Sequence, residues 1–251
     1  MKSAPRASSR VRGVPSNLTQ TLLDPVLAAD PAGPRITFYD DATGERVEVS
    51  AVTLANWAAK TANLLCDEFG FEVGGRVSVL LPAHWQTAAA LLGIWWAGGE
   101  VILGADDSAD VAMVSADRLG EAPDVDEVLA FSLDAFGKAV PDLPIGMTDY
   151  ATSVRVHGDQ FRVSGSGTGA GALDGRSVEQ VLAVARERAA ARSLTAADRV
   201  LSSASWTTAD ELIDGLLAVL VVGASLVQVA QPDEEKNVRR TETEKVTVTL
   251  D

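Results

Sequence analysis

From Arg76 to Val229, short and nearly unbroken apolar runs alternate with helical patterns, and this alternation leaves few folds open. The runs are Arg76–Leu81, Glu100–Leu103, Val111–Val114, Val128–Phe131, Arg199–Ser202 and Ser225–Val229. Apolar stretches of this length without polar alternation predict strands buried on both faces, as in parallel sheets. The helical patterns between them carry their own boundaries. Gln86–Trp96 is rich in Ala and Leu and closes on Gly98 and Gly99. Ser177 with Gln180, and Thr208 with Glu211, have the spacing of capping boxes that open helices. Thr195–Asp198 reads as a turn, 117–120 as a short helix, and 132–150, with Pro141, Pro144, Gly137 and Gly146, mostly as loop. Strand, helix and strand in repeated succession predict βαβ units. The expected class is therefore α/β, with a mostly parallel sheet flanked by helices on both faces.

Upstream, Asn17 or Thr19 caps a first helix through Leu18, Leu22, Leu23, Val26 and Leu27, which Pro31 and Pro34 end. Ile36 and Phe38, then Val47 and Val49, alternate around a polar turn and predict a β-hairpin. Ser50 caps a helix whose apolar face runs through Val52, Leu54, Ala55, Ala58, Ala62, Leu65 and Phe69 to a stop at Gly70. Downstream, 233–245 is charged and helical, and 246–250 is an edge strand. Residues 1–16 are expected to form a mobile, disordered arm, leaving 17–251 as one α/β domain. The stretch from Arg76 to Ile102 is loosely echoed by that from Arg199 to Val227, each being strand, helix, Gly and strand. Such an echo is generic to βαβ units.

A net charge of −14 repels nucleic acid and anionic lipid surfaces, so neither is an expected partner. The single cysteine, Cys66, excludes an intrachain disulfide and a cysteine zinc site, and belongs to a helical core pattern. The only histidines are His84, read as scaffold, and His157, read as part of a turn. The N-terminal stretch lacks the apolar region of a secretory signal, and Asp214, Gly215 and Gly223 interrupt the longest apolar stretch, so the expected location is cytoplasmic. Asp106, Asp107 and Asp110 form an acidic cluster, read as a solvated loop in preference to a magnesium site. Trp95 and Trp96 are adjacent and cannot share a helix face, so one of them is expected at a surface or contact.

The candidate binding element is Ser164, Gly165, Ser166, Gly167, Thr168 and Gly169, continuing through Ala170 and Gly171. Phe161 and Val163 alternate before it as a strand, and Ser177 starts a helix after it. Strand, small-residue loop and helix is a layout that turns backbone N–H groups toward a phosphate. No lysine lies between Lys138 and Lys236, so the loop carries no ammonium. The other reading is a loop without a ligand.

These residues resemble the adenylate-forming superfamily, which includes acyl-CoA synthetases, luciferases and nonribosomal adenylation domains. The hairpin and long helix are followed by Gly75-Arg76-Val77-Ser78-Val79-Leu80-Leu81-Pro82 and by Ala97-Gly98-Gly99-Glu100-Val101. Later come the Ser164 loop, Leu194-Thr195-Ala196-Ala197-Asp198-Arg199-Val200-Leu201, and Leu217 to Ala224. The resemblance spans about residues 17–230, and more narrowly it is to a short actinobacterial branch of truncated acyl-CoA synthetase-like proteins. It implies an acyl-CoA synthetase N-terminal-like fold, with ATP or AMP as the nucleotide at Ser164–Gly169 and an acyl group as a second ligand. It places Trp206, after Ser202-Ser203-Ala204-Ser205, near an acyl-pocket wall.

Departures from the pattern change the expected activity. The family chain is about twice this length, and nothing here resembles its later Y-G-x-T-E and T-G-D segments. Its Pro-Lys-Gly position reads Leu173-Asp174-Gly175, with Arg176 next to it. A carboxylate where a phosphate-contacting ammonium is expected adds repulsion. The leading expectation is a degenerate adenylate-forming domain, non-catalytic alone. It retains nucleotide, phosphate or small-ligand binding, or serves an interaction or regulatory role as a homodimer or with a protein partner. The alternatives are ATP-dependent carboxylate activation completed by a separate chain, and a purely structural or interaction protein.

Overall fold

The computed structural model describes residues 17–162 and 171–250. The arm 1–16 and the glycine-rich residues 163–170 lie outside the described residues.

The chain opens with α1 (Leu18–Ala29), capped by the Asn17 side chain accepting from the Gln20 N–H. The hairpin β1 (Pro34–Asp40) and β2 (Glu45–Ser50) follows, antiparallel. Ser50 caps α2 (Ala51–Glu68). Then come β3 (Arg76–Leu80), α3 (Trp85–Trp96), β4 (Glu100–Leu103), β5 (Val111–Ser115) and a 3-10 turn, Ala116–Glu121. β6 (Glu127–Phe131), β7 (Met147–Asp149) and α4 (Tyr150–Ser153) lead toward the glycine-rich segment. Beyond it are the small hairpin β8 (Gly171–Leu173) and β9 (Arg176–Ser177), α5 (Val178–Ala191) and β10 (Arg199–Ser202). Next, α6 (Ala209–Leu212), a π-helical turn (Ile213–Leu217) and α7 (Ala218–Val221) run on into one another. β11 (Ser225–Ala230), α8 (Glu234–Thr243) and β12 (Val248–Leu250) complete the described chain.

The strands form two sheets among the described residues, where the apolar runs alone suggested one. The first has the order β12-β10-β11-β1-β2 and the second β7-β6-β5-β3-β4-β8-β9. Both are parallel except for their hairpins, β1–β2 and β8–β9. The internal echo marks this division. β3–α3–β4 is a parallel unit of the second sheet, and β10–α6–α7–β11 is its counterpart in the first. Apolar periodicity reports burial of a strand and carries no information on which of two sheets buries it.

Helices fill the space between the sheets. One core joins Ile36, Phe38 and Leu226 of the first sheet to Val77, Val79 and Val101 of the second through side chains of α2, α3, α5 and α7. α2 and α3 cross closely because their facing residues are small. A Cβ on Gly93 would lie 2.5 Å from Thr61 Cβ and 2.8 Å from the Ala58 carbonyl oxygen. The outer face of the first sheet, Leu201, Val227 and Val229, is covered by Tyr39 and Val246 beside α8. The outer face of the second, Leu80, Ala112, Val114 and Val128, is covered by Leu119, Ala122 and Val125.

Three local readings are corrected. Phe161 and Arg162 are not in a strand; the strand beside the glycine-rich residues follows them, as β8, paired parallel with β4. The Asp174-Gly175 dipeptide is a two-residue hairpin turn, with both residues at positive φ (44° and 79°), the backbone twist that joins antiparallel strands tightly. Residues 132–150 are mostly loop, as read, and end in the three-residue β7, whose pairing to β6 rests on backbone groups that side-chain patterning does not report. Val52 is 42% exposed and lies off the buried face of α2. The tail 246–250 does supply an edge strand, β12, parallel to β10. Among the described residues, no helix is long and apolar enough to cross a membrane.

Candidate functional site

The loop residues Ser164, Gly165, Ser166, Gly167, Thr168 and Gly169 lie outside the described residues, but the segments on either side of them are firmly held. On the upstream side, α2 grips the chain through its polar edge. Lys60 donates to the His157 carbonyl at 2.5 Å, and Asn63 donates to the carbonyls of Gly158 and Gln160 at 2.8 and 3.0 Å. The His157 ring lies 2.8 Å from Glu68 Oε1. On the downstream side, the Trp95 indole N–H donates to the Ala172 carbonyl at 2.7 Å, anchoring β8 to α3. Trp95 is buried, and Trp96 is the partly exposed neighbour, edge-on to Phe161 at 6.1 Å.

The β8–β9 turn and its contact with β4 are acidic. Asp174 Oδ1 accepts from the Leu103 N–H at 3.0 Å, and Glu100 Oε1 accepts from the Gly175 N–H at 2.6 Å. The Glu100 carboxylate packs against Gly171 so closely that a Cβ there would meet it at 2.4 Å. Burial, reinforced by Glu100, pushes the Asp174 carboxyl up from its usual range, against the Leu103 N–H and Arg176. Arg176 lies 3.6 Å from Asp210, at the start of α6. The carboxylate at the position where the resemblance expects a lysine is thus a turn residue with its own backbone partner.

The acidic cluster is also structurally committed. Asp106 accepts from Ser108 and Arg76, Asp107 from the Asp124 N–H, and Asp110 from the Arg76 N–H. No group of three or more His, Cys, Asp or Glu side chains among the described residues is arranged to hold a metal ion. His84 caps α3 by accepting from the Gln86 N–H through Nδ1, which leaves the hydrogen on Nε2, 3.7 Å from Glu45. Its burial lowers the imidazole pKa and keeps it neutral near pH 7, despite that carboxylate. Its role is scaffold, as the sequence suggested.

A crevice of about 240 Å³ opens elsewhere, at the carboxyl ends of β3 and β5 in one sheet and β10 and β11 in the other. It is walled by Leu81–Ala83, Ser115, Ser203–Ala204 and Gln228–Ala230, with Asp117 and Arg118 at its edge. Ligands of open parallel sheets bind outside the carboxyl ends of strands, where successive loops diverge. Two polar atoms are buried in the wall without a hydrogen-bond partner among the described residues: Ser115 Oγ and Gln228 Oε1. Gln228 is 1% exposed, and its amide nitrogen donates to the Ala204 carbonyl at 3.0 Å, which orients the oxygen. An unpaired buried acceptor costs about 1–3 kcal/mol.

The crevice loop is strained. Trp206 is 1% exposed and has φ 60°, a conformation that a bulky side chain adopts only when its surroundings impose it. Two devices impose it here. Glu211 Oε2 accepts from Ser205 Oγ, from Thr207 N and Oγ1, and from the Thr208 N–H. The π-helical turn places Gly215 against the indole, where an added Cβ would lie 2.9 Å from Trp206 Nε1. π-turns inside helices are frequent at functional sites. Trp206 was expected as a pocket wall. It stands behind the wall and shapes the loop, while Ser203, Ala204, Ser205 and Thr207 line the opening. The sequence reading missed Gln228, Ser115 and Glu211 as site residues. The available signal was Gln228 itself, one amide inside the otherwise apolar run Leu226–Ala230.

Two mostly parallel sheets over a shared helical layer define an acyl-CoA synthetase type of fold. The structure of an acyl-CoA synthetase from Brucella canis superposes with a TM-score of 0.75 at 17% identity, covering 93% of this chain and 47% of that one. The anthranilate CoA ligase AuaEII, solved in complex with anthranoyl-AMP, gives 0.73 at 14% identity, over 94% and 49%. The chain spans about half the length of these solved structures. At such identities the likeness establishes the fold. No protein-family model matches the chain. A curated relative from Mycobacterium tuberculosis (strain ATCC 25618 / H37Rv), named TIGR03089 family protein, is 61% identical over 244 residues, covering 94% of this chain and 99% of the relative. The chain belongs to the TIGR03089 family.

Proposed function

We propose that this chain is a ligand-binding protein built on the adenylate-forming fold, and that on its own it does not activate carboxylates with ATP. The observation that carries this reading is the pair Glu100 and Asp174 at the β8–β9 turn, which follows Ser164–Gly169 in the sequence. Glu100 holds the backbone of the turn and Asp174 occupies the position where the resemblance expects a lysine. A triphosphate brought to the β8–β9 turn meets two carboxylates, with Arg76, 3.7 Å from Glu100, already bonded to Asp106, and Arg176 shared with Asp210 at 3.6 Å. ATP and AMP are accordingly weak ligands in this reading. The small ligand sits in the crevice at the strand ends, where Ser203, Ser205 and Thr207 line the opening.

The fold itself favours a second reading, in which a separate chain supplies missing chemistry and carboxylate activation is restored. One experiment separates the two: ATP-dependent pyrophosphate exchange by the purified chain over a panel of aliphatic and aromatic acids. No exchange above the protein-free rate is expected. Exchange that depends on both the acid and magnesium ATP overturns the proposal.

A further inference from the structure

The segment that precedes Asn17 is the basic part of an acidic chain. Residues 1–16 hold Lys2, Arg6, Arg10 and Arg12 and no carboxylate, so the rest of the chain carries −18 where the whole carries −14. A groove of about 830 Å³ is lined by six carboxylates, Glu72, Asp107, Asp110, Asp124, Asp126 and Glu127, and by no lysine, arginine or histidine. Asp107 and Asp110 each accept one backbone N–H, from Asp124 and Arg76. The side chains of Glu72, Asp124, Asp126 and Glu127 have no hydrogen bond or ion pair among the described residues. Arg76, next to the groove, is bonded to Asp106 and Ser108. No three of these carboxylates are arranged to hold a metal ion, so the potential they share is matched by a string of cations in place of a single one. Phe69, Phe71, Val73 and Val125 add an apolar lining, and Val73 is 37% exposed.

The described chain begins beside this groove. Asn17 Nδ2 donates to the Trp96 carbonyl at 3.3 Å. Two residues on, the Gly98 carbonyl accepts from the Gly74 N–H at 2.9 Å, and Gly98 packs so closely on Val73 that an added Cβ would lie 3.1 Å from its side chain. Val73 and Gly74 both line the groove. An extended chain spans about 3.3 Å per residue, so Arg12 reaches at most about 17 Å from Asn17 and Arg6 about 36 Å. We infer that the groove is the docking surface for the chain's own residues 1–16, with Arg6, Arg10 and Arg12 pairing with its carboxylates and Val11 set against Val73. Exposed ion pairs are worth about 0.2–1 kcal/mol each, too little to hold a free peptide of this kind tightly. Tethering makes the weak contact sufficient, because a short linker presents its partner at an effective concentration of the order of 1 mM. The inference is independent of the crevice and of the nucleotide reading.

The test is the backbone amide NMR spectrum of the full chain, native and with Arg6→Gln, Arg10→Gln and Arg12→Gln combined. The amides of Glu72–Gly75 and Asp124–Glu127 are expected to shift in the triple variant, while those of Ser203–Thr207 at the crevice stay in place. Raising the salt from about 0.05 to about 0.5 M should move the same groove amides of the native chain in the same direction, since screening weakens exposed pairs. A synthetic peptide of residues 1–16, titrated into the triple variant, should move them back with a Kd of about 1 mM or below at low salt. Adding Asp124→Asn and Asp126→Asn, both at exposed positions, should raise that Kd by about threefold or more. Groove amides indifferent to the three arginines overturn the inference, as does a peptide that leaves them unmoved or binds the Asn variant equally well. Native groove shifts that are lost on dilution also overturn it, because the occupant is then the corresponding segment of a second copy.

Discussion

Removing the Glu211 carboxylate is the perturbation that most directly probes how the crevice loop is held. One oxygen, Oε2, accepts from Ser205 Oγ at 2.9 Å, Thr207 N at 2.9 Å, Thr207 Oγ1 at 2.8 Å and Thr208 N at 3.2 Å. Hydrogen bonds to a charged group are each worth about 1.5–3 kcal/mol, and adding four would overshoot. These donors are at the surface and regain water, so the loss is better set by the value of a capping interaction, about 0.5–2 kcal/mol. Against this stands the left-handed backbone of Trp206, which costs about 1–2 kcal/mol and which the Glu211 contacts offset. Glu211→Ala should therefore destabilise the chain by about 1–2 kcal/mol, read as a lower urea midpoint at unchanged slope. A loss of that size lowers Tm by about 2–8 °C in a chain of this length.

The pH dependence follows from the same contacts. Hydrogen bonds from Thr207 and Ser205 hold the Glu211 carboxyl below its ordinary 4.5, so the unfolded chain takes up the proton first. The advantage of the native residue over Glu211→Gln is then constant above pH 4.5 and declines as the pH falls below it. A change within about 0.5 kcal/mol, the range of ordinary surface substitutions, would refute the reasoning. So would a difference between Glu and Gln that is the same at pH 7 and pH 3.

Three further outcomes are expected. Gly215→Ala places a methyl 2.8 Å from Ala204 Cβ and 2.9 Å from Trp206 Nε1, and should cost about 1–3 kcal/mol in chemical denaturation while weakening ligand binding in the crevice. Glu244 is buried and accepts from Tyr39, Arg199 and Arg46; burial opposes its ionisation, but these partners outweigh it and pull the carboxyl down from 4.5 to about 2. Glu244→Ala strands Arg199 and should cost about 3 kcal/mol at pH 7, an effect that fades in denaturation curves between pH 4.5 and about 2. Asp174→Asn keeps an acceptor for the Leu103 N–H and tolerates positive φ. Because burial raises the native carboxyl above its usual 3.8, the neutral variant should match or slightly exceed native stability at pH 7, with the gain gone below pH 3.8. Asp174→Ala should instead lose about 1–2 kcal/mol by thermal denaturation, through the vacated acceptor and the strained turn.

Helix starts were legible in the sequence because each is written in a few consecutive residues. Asn17, Ser50, Ser177 and Thr208 all cap the helices assigned to them, and two do so within full capping boxes. The buried strands were legible because parallel strands covered on both faces are apolar runs, as β3, β5, β6, β10 and β11 are, whereas β4 buries only Val101 fully. The division into two sheets was not, since Val77 and Val200 are equally buried in different sheets. The Asp174-Gly175 turn carried a hairpin signal that alignment to a glycine-rich phosphate loop overrode. The crevice was hidden for a different reason. Ser115 and Gln228 are 113 residues apart and line one crevice only because two βαβ units end at one place. The left-handed Trp206 is likewise a product of Glu211 and Gly215 acting together, which no local propensity encodes.

The central claim is that a small ligand binds at the strand ends between the two sheets and that the glycine-rich segment does not hold a reacting nucleotide. The direct measurement is a crystal structure of the full chain soaked with small aromatic ligands together with magnesium ATP. The account predicts density for a small ligand in the crevice and none for a triphosphate. Ordered ATP and magnesium along Ser164–Gly169, with the crevice empty, would contradict it.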